Sequence, residues 1–252
     1  MKSPINMRYL LLILCFLMPC VAYAEAVPGT EAWEFNVSKA IAIELAESSV
    51  WNLAIPYLRE LSPKTQDWHV LFLMAKVELQ QGDLPKAQSF IERALEAYDT
   101  NPRILALAGN IAIDTGRTED AAQYYEKTLL YQPNHVGVLT ALARIRYSQQ
   151  QWSEVIVLTE RLLEHALPTS EMLVRLAAAY ESTGVMAKAE KLLKQNLEVH
   201  PNRVLALMPL ERFYRRQHQI SKADEIARER KKLQKTTDGD SRHMRALLPS
   251  SW

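Results

Sequence analysis

Three residue types recur along this chain at a common spacing of about 34 positions, and this recurrence constrains the fold more than any other feature. The recurring alanines are Ala87, Ala121, Ala189 and Ala223. The recurring glycines and prolines are Gly82, Gly116, Gly184, Pro102, Pro133, Pro168 and Pro201. A shared period of this length is typical of repeat proteins, in which each repeat stacks on its neighbours. Units start at 68, 102, 136, 170 and 204 without any insertion, and one more fits upstream at about 35, which makes six.

Each unit has the pattern of two consecutive helices, as residues 102–135 illustrate. Gly116 is expected to end the first helix, because glycine readily takes the left-handed conformation of a tight helix end. Thr118 then offers an N-cap oxygen to the second helix, which Pro133 stops. Ala121 is small, which predicts that the two helices approach closely there. Residues on one face of each helix have the spacing of an amphipathic helix, and they are Leu105, Gly109, Ala112, Ala122, Tyr125 and Leu129.

This pattern resembles the tetratricopeptide repeat (TPR) family over about 35–237. One unit matches the family pattern at Leu71, Ala75, Gly82, Ala87, Ile91 and Ala94. Two others match at Leu105, Gly109, Gly116, Ala121, Tyr125 and Pro133, and at Leu173, Ala177, Tyr180, Gly184, Ala189 and Pro201. The unit 136–169 departs from the pattern, with Gln150 in place of the turn glycine and Val155 in place of the alanine. The resemblance implies an all-α fold, a right-handed superhelical solenoid of about six antiparallel helix pairs.

Composition and charge exclude several other classes of protein. The chain is 48% apolar and carries 30 Lys and Arg against 29 Asp and Glu, so it is neither disordered in bulk nor a general nucleic-acid binder. With 7 glycines it has few turn residues for an all-β protein of this length. Its two cysteines, Cys15 and Cys20, cannot form a disulfide framework or a cysteine zinc site.

The first 24 residues have the three-part layout of a secretory signal peptide. A short basic start with Lys2 and Arg8 precedes an apolar run over 9–18, and a small-x-small cleavage site ends at Ala24. We therefore expect 1–24 to be removed and the chain to be periplasmic. Both cysteines leave with this segment, so the mature chain could enter an oxidising compartment without thiol chemistry.

Two alternatives to cleavage stay open. One is an uncleaved membrane anchor, although the apolar run is shorter than the roughly 20 residues of a spanning helix. The other is a lipid anchor at Cys20, whose preceding residues resemble a bacterial lipobox only faintly. Residues 25–34 are expected to be a lead-in to the repeats, and residues 238–252 a disordered tail.

No catalytic pattern is present in the sequence, so we expect no enzyme activity and no cofactor. There is no glycine-rich phosphate loop and no Gly-x-Ser-x-Gly. The six histidines lack the spacing of metal ligands, which predicts no metal site; they are His69, His135, His165, His200, His218 and His243.

The resemblance also suggests where a partner would bind. In the TPR family the first helix of each unit lines a groove, and its ninth residue points inward. These positions are occupied by Lys76, Asn110, Arg144, Ala178 and Arg212. Together with Arg175, which lies beside them, they form what we call the predicted partner-binding ladder. Arg215, Arg216, Glu171 and Glu181 would flank it. Such a ladder suits an acidic or carboxylate-ended peptide, and the alternative is a solvated helix face without a ligand.

The carboxylate clamp known in this family is matched only at Asn110 and Arg175. Ala106, Ala141 and Glu171 occupy its other positions, which argues against the cytosolic chaperone partners of that clamp.

Basic residues concentrate near the C-terminal end. Residues 204–235 hold nine basic and four acidic residues. This end could contact an anionic lipid, a cell-wall polymer or an acidic partner, or could be a polar cap that keeps the end of the repeat array in water.

These features predict an exported scaffold or adapter that binds a protein partner, within a bacterial envelope assembly such as a pilus, secretion or polysaccharide system. A periplasmic chaperone or holdase for an unfolded client is the alternative.

Overall fold

The computed structural model describes residues 29–200 and 202–247, with side chains up to 235, and the predicted signal peptide 1–24 lies outside these residues. The described residues form twelve α-helices and no strand, which confirms the all-α helical-repeat fold. Ser62–Lys64 adds a short 3₁₀ turn. The helices are α1 Glu31–Glu47, α2 Trp51–Leu61, α3 Trp68–Gln81, α4 Leu84–Ala97, α5 Pro102–Asp114, α6 Thr118–Tyr131, α7 Val136–Ser148, α8 Trp152–His165, α9 Ser170–Ser182, α10 Met186–Val199, α11 Arg203–Arg216 and α12 Ile220–Leu247.

The helices keep the 34-residue register of the sequence. The first helices of four predicted units begin at Trp68, Pro102, Val136 and Ser170, and α11 begins at Arg203, one residue before the predicted start. Side-chain caps explain several of these starts, because an N-cap oxygen accepts a hydrogen bond from an otherwise unpaired helical N–H. The caps that accept such a bond include Asp67, Asn101, His135, Thr169 and Asn202.

Every turn between the two helices of a unit contains one residue in the left-handed conformation. Three of these residues are glycines, at 82, 116 and 184, with φ of 80°, 78° and 83°. The equivalent positions in the other three units are Ser49, Gln150 and His218, with φ of 62°, 59° and 54°. In all six turns the following N–H reaches back five residues, as from Gln151 to the Arg146 carbonyl at 2.9 Å. This is the Schellman pattern of a helix C-terminus.

Above the level of the repeats, the described chain divides into two larger compact parts. We call them the N-terminal unit, which ends at Arg117, and the C-terminal unit, which starts at Thr118. The N-terminal unit contains α1–α5, and its core includes Leu58, Leu71 and Ile104, which are fully buried. The C-terminal unit contains α6–α12. Its fully buried side chains include Tyr125, Leu139, Leu162, Leu173, Leu207 and Phe213. Within the units, consecutive helices such as α3 and α4, α9 and α10, and α11 and α12 pack on each other.

The recurring alanine position is closed to solvent throughout the described repeats. Ala54, Ala87, Ala121, Ala189 and Ala223 are all 0% exposed, and so is Val155, which replaces the alanine in the unit 136–169. The position therefore demands a small or compact side chain.

The last helix differs from the others in length. It has 28 residues, whereas α11 before it has 14. It reaches Leu247, well into the segment 238–252 for which the sequence predicts disorder, and 248–252 lie outside the described residues. No helix in the described part of the chain is long and apolar enough to cross a membrane.

Candidate functional site: the first-helix face of the repeats

The predicted ladder divides between the two units. Lys76 on α3 and Asn110 on α5 belong to the N-terminal unit, where Asn110 is exposed and Lys76 is half-buried. The Lys76 ammonium lies 4.9 Å from the centre of the Trp51 ring, within the range of a cation–π interaction. Lys76 is therefore held against its own fold, and a ligand would have to compete with the Trp51 ring for it.

In the C-terminal unit, two cations of the ladder face solvent. Arg144 on α7 and Arg212 on α11 are both exposed. Neither contacts a carboxylate among the residues whose side chains are described. Arginine presents planar donors that suit carboxylates, so these two side chains are available to an acidic ligand.

Arg212 also lines a cleft of about 180 Å³ on the C-terminal unit. First helices supply most of its wall, which is made of Tyr147, Val174, Ala178, Glu181, Pro209, Arg212 and Arg216, with Leu193 from α10. Two positions of the predicted ladder, Ala178 and Arg212, thus lie together. The cleft combines apolar side chains with charges at its edge, as pockets for peptide side chains commonly do.

Arg175 has a different environment from the rest of the ladder. Its side chain is buried, at 6% exposure, and its guanidinium donates a hydrogen bond to the Glu171 carboxylate one turn earlier on α9. A second guanidinium nitrogen, Nη1, is also buried and has no hydrogen-bond partner in the described structure. The Arg175 side chain is therefore not accessible to a ligand, in contrast to the prediction that it belongs to the partner-binding ladder.

A bidentate ion pair closes one edge of the cleft. Arg216 Nε and Nη2 donate to the two carboxylate oxygens of Glu181 at 2.8 and 2.7 Å, and Gln217 donates to the same carboxylate at 3.2 Å. Hydrogen bonding to Glu181 raises the pKa of Arg216. With Arg175 and Arg216 both paired, the uncompensated positive charge of this face resides on Arg144 and Arg212.

Sequence reasoning missed the apolar part of the cleft. Tyr147 is the twelfth residue of its 34-residue repeat and Val174 is the fifth of the next, on the same helices as the ladder. Counting these positions together with the ninth would have found them.

The second helices of the C-terminal unit carry a polar feature that the sequence did not predict. Arg146 is 8% exposed and donates to Glu126 on α6, and its Nε lies 2.8 Å from a Glu154 oxygen on α8. One repeat later Tyr180 donates to Glu160 and accepts from Lys188 at 2.9 Å. These contacts connect successive second helices through a side chain from a first helix.

Beside the first of these connections lies an apolar cleft of about 480 Å³. It contains Leu130 and Val157, which are 76% and 64% exposed.

Three of the histidines make contacts within the fold. His69 Nε2 lies 3.3 Å from Glu47, and burial together with the nearby Arg103 cation lowers the pKa of His69. His135 and His200 accept backbone hydrogen bonds through Nδ1. No group of three or more metal-ligating side chains occurs among the described residues.

Comparison with known sequences identifies the repeat. A sequence model of the tetratricopeptide repeat matches residues 72–135 and 106–154. These residues contain tetratricopeptide repeats. The chain is also 24% identical over 133 residues to subunit 7 of the anaphase-promoting complex of Arabidopsis thaliana, covering 52% of this chain and 24% of that protein. It thus spans about a quarter of that relative.

Solved structures share the fold at low sequence identity. MamA from Desulfovibrio magneticus RS-1 is 16% identical with a TM-score of 0.60, covering 68% of this chain and 97% of that one. YrrB, described as a TPR protein with an unusual peptide-binding site, is 17% identical with a TM-score of 0.62, covering 68% and 89%. A tetratricopeptide repeat of this kind is a typical scaffold for protein–protein binding.

Proposed function

We propose that this chain is an exported adapter that binds an acidic segment of a partner protein on the first-helix face of its C-terminal unit. The observation that carries the proposal is the pair of exposed, uncompensated cations, Arg144 and Arg212, the second of which lines the cleft of about 180 Å³ that also contains apolar side chains. An acidic segment with a small apolar side chain would match both features. The peptide-binding site described for YrrB supports this use of a similar fold.

The compartment in this proposal rests on the N-terminal sequence. The layout of residues 1–24 supports export to the periplasm, and there the adapter would serve an envelope assembly such as a pilus, secretion or polysaccharide system.

The binding proposal predicts a salt-sensitive interaction that depends on two arginines. The probe is a library of fluorescent decapeptides rich in Asp and Glu, with binding measured by anisotropy at about 50 and about 500 mM salt, where screening differs strongly. We expect Arg144→Glu with Arg212→Glu to weaken the best binder at least tenfold. Lys127→Glu with Lys191→Glu makes the same change in net charge at exposed positions on α6 and α10. Equal losses in the two double variants would contradict the proposal.

One observation favours the second candidate function, a holdase. Unfolded clients are captured through apolar surface, and Leu130 and Val157 expose such surface beside each other on the second-helix side of the C-terminal unit. A holdase would suppress aggregation of reduced, unfolded lysozyme, and Leu130→Asp would abolish that effect while leaving acidic-peptide binding unchanged. An adapter would bind the peptide and leave the aggregation of the client unaffected.

A further inference from the structure

The outward face of α12 carries a stripe of four cations. Arg228, Lys231, Lys232 and Lys235 are exposed and follow one another at intervals of three or four residues. Residues at this spacing lie on one face of a helix. We call them the cationic stripe.

The orientation of the stripe is set by the opposite face of α12. Ala223 and Ala227 are buried there, and Leu233 is half-buried further along the helix. Arg230 also connects α12 to α11, since its Nε donates a hydrogen bond to Glu211 at 3.0 Å. Because this side is held against α11, the cationic stripe faces away from the helix on which α12 packs.

Two acidic residues near the stripe form ion pairs with arginines of α11. Asp224 lies 3.4 Å from Arg215, and Glu229 accepts from Arg203 at 2.9 Å, so both neutralise cations of α11. Glu225 lies on the outward face one turn before Arg228. Lys231 and Lys235 contact no carboxylate among the residues with described side chains. From 228 to 235 the outward face therefore presents four cations, of which Lys231 and Lys235 contact no carboxylate among the residues with described side chains.

We infer that the cationic stripe binds the surface of a membrane that contains anionic phospholipids. Three of its four members are lysines, which act as flexible point charges, and none of them lines either of the two clefts described above. This arrangement suits a diffuse layer of phosphate charge, whereas recognition of an acidic peptide favours arginine forks and a groove. Clusters of four to eight Lys and Arg on a helix are a pattern typical of binding to anionic phospholipids. The stripe is separate from the α7, α9 and α11 face and does not depend on the proposed function.

The adsorption is electrostatic and superficial. A helix that inserts into a bilayer surface needs a free apolar face. Over 220–235, where the side chains of α12 are described, Ala223 and Ala227 are buried in the packing with α11. Binding should therefore fall steeply with salt concentration.

The test is sedimentation of the full chain with two kinds of vesicle. One kind contains phosphatidylcholine alone, and the other also contains about 30% phosphatidylglycerol, which gives its surface a negative charge. Residues 9–18 are apolar and would bind both vesicle types, so the difference between the two isolates the charge effect. One variant changes Arg228, Lys231, Lys232 and Lys235 to Gln. The control changes Lys64, Lys86, Lys127 and Lys191 to Gln, which removes the same charge from exposed positions dispersed over the chain.

We expect the phosphatidylglycerol-dependent partitioning to fall at least tenfold in the stripe variant and less than threefold in the dispersed control, with unchanged helical circular dichroism in both. Equal losses in the two variants would overturn the inference, as would binding that ignores phosphatidylglycerol. Stripe-dependent binding to soluble polyglutamate without binding to the vesicles would also overturn it, in favour of an acidic protein partner.

Discussion

The residue at each left-handed turn position shows how a single side chain can oppose the repeat geometry. Gln150 has φ of 59°, a conformation that costs a residue with a Cβ atom about 1 kcal/mol or more and glycine almost nothing. Gln150→Gly should therefore stabilise the chain by about 0.5–1 kcal/mol, measured from urea midpoints.

The neighbouring Gln149 is the matched control for this substitution, because it has φ of −84°. Gln149→Gly should destabilise the chain, since glycine there only adds freedom to the unfolded state. The same sign for both substitutions would show that Gln150 carries no strain.

Two buried threonines differ in whether their hydroxyl groups have a partner. Thr128 and Thr159 are both 0% exposed. Thr128 donates to the Tyr124 carbonyl at 2.8 Å, whereas Thr159 Oγ1 has no partner in the described structure. A buried polar group without a hydrogen bond costs about 1–3 kcal/mol.

Thr159→Val should therefore raise the free energy of unfolding by about 1 kcal/mol, while Thr128→Val should leave it unchanged or lower it. Chemical denaturation of both variants measures the difference. A loss at Thr159 equal to that at Thr128 would mean that the Thr159 hydroxyl is satisfied, for example by water.

At the scale of the helix, the recurring alanine decides how closely elements pack. Ala121 is fully buried on α6, while Lys127 on the same helix is exposed. Ala121→Leu adds three carbon atoms to a closed position and should cost about 1–3 kcal/mol. Lys127→Ala should stay within about 0.5 kcal/mol. Urea midpoints that move equally would contradict the register of the repeat.

Elements were more predictable from the sequence than the site. Helix starts at Trp68 and Pro102 follow from a period that local capping and apolar spacing both support. Even the turn at Gln150 keeps its left-handed geometry, because the flanking helices impose it. The availability of Arg175 was not predictable, since its burial depends on side chains from elsewhere in the fold and on its pairing with Glu171. A ninth-residue rule locates a helix face but not which of its charges are already neutralised.

At the scale of the whole molecule, charge is distributed unevenly, and some of the cations are compensated by a carboxylate on a neighbouring helix. Ion pairs such as Arg216 with Glu181 and Arg203 with Glu229 connect neighbouring helices of the C-terminal unit. Exposed pairs of this kind contribute little stability. Arg144 and Arg212 on the α7 and α11 face, and Lys231 and Lys235 on the cationic stripe, contact no carboxylate among the residues with described side chains, so their charge can serve a partner.

The compartment in which these surfaces act depends on residues 1–24. Cleavage after Ala24 would remove the apolar run and both cysteines, so the mature chain would begin at Glu25 and hold no thiol. Expressed in a bacterium with a periplasm, the chain should appear in the periplasmic extract with Glu25 as its first residue by mass spectrometry. Ala24→Arg should block processing, because the cleavage site requires a small residue, and Ala26→Arg should not. A mature form that starts at Met1, or an acylated N-terminal Cys20, would show instead that the chain is retained or anchored.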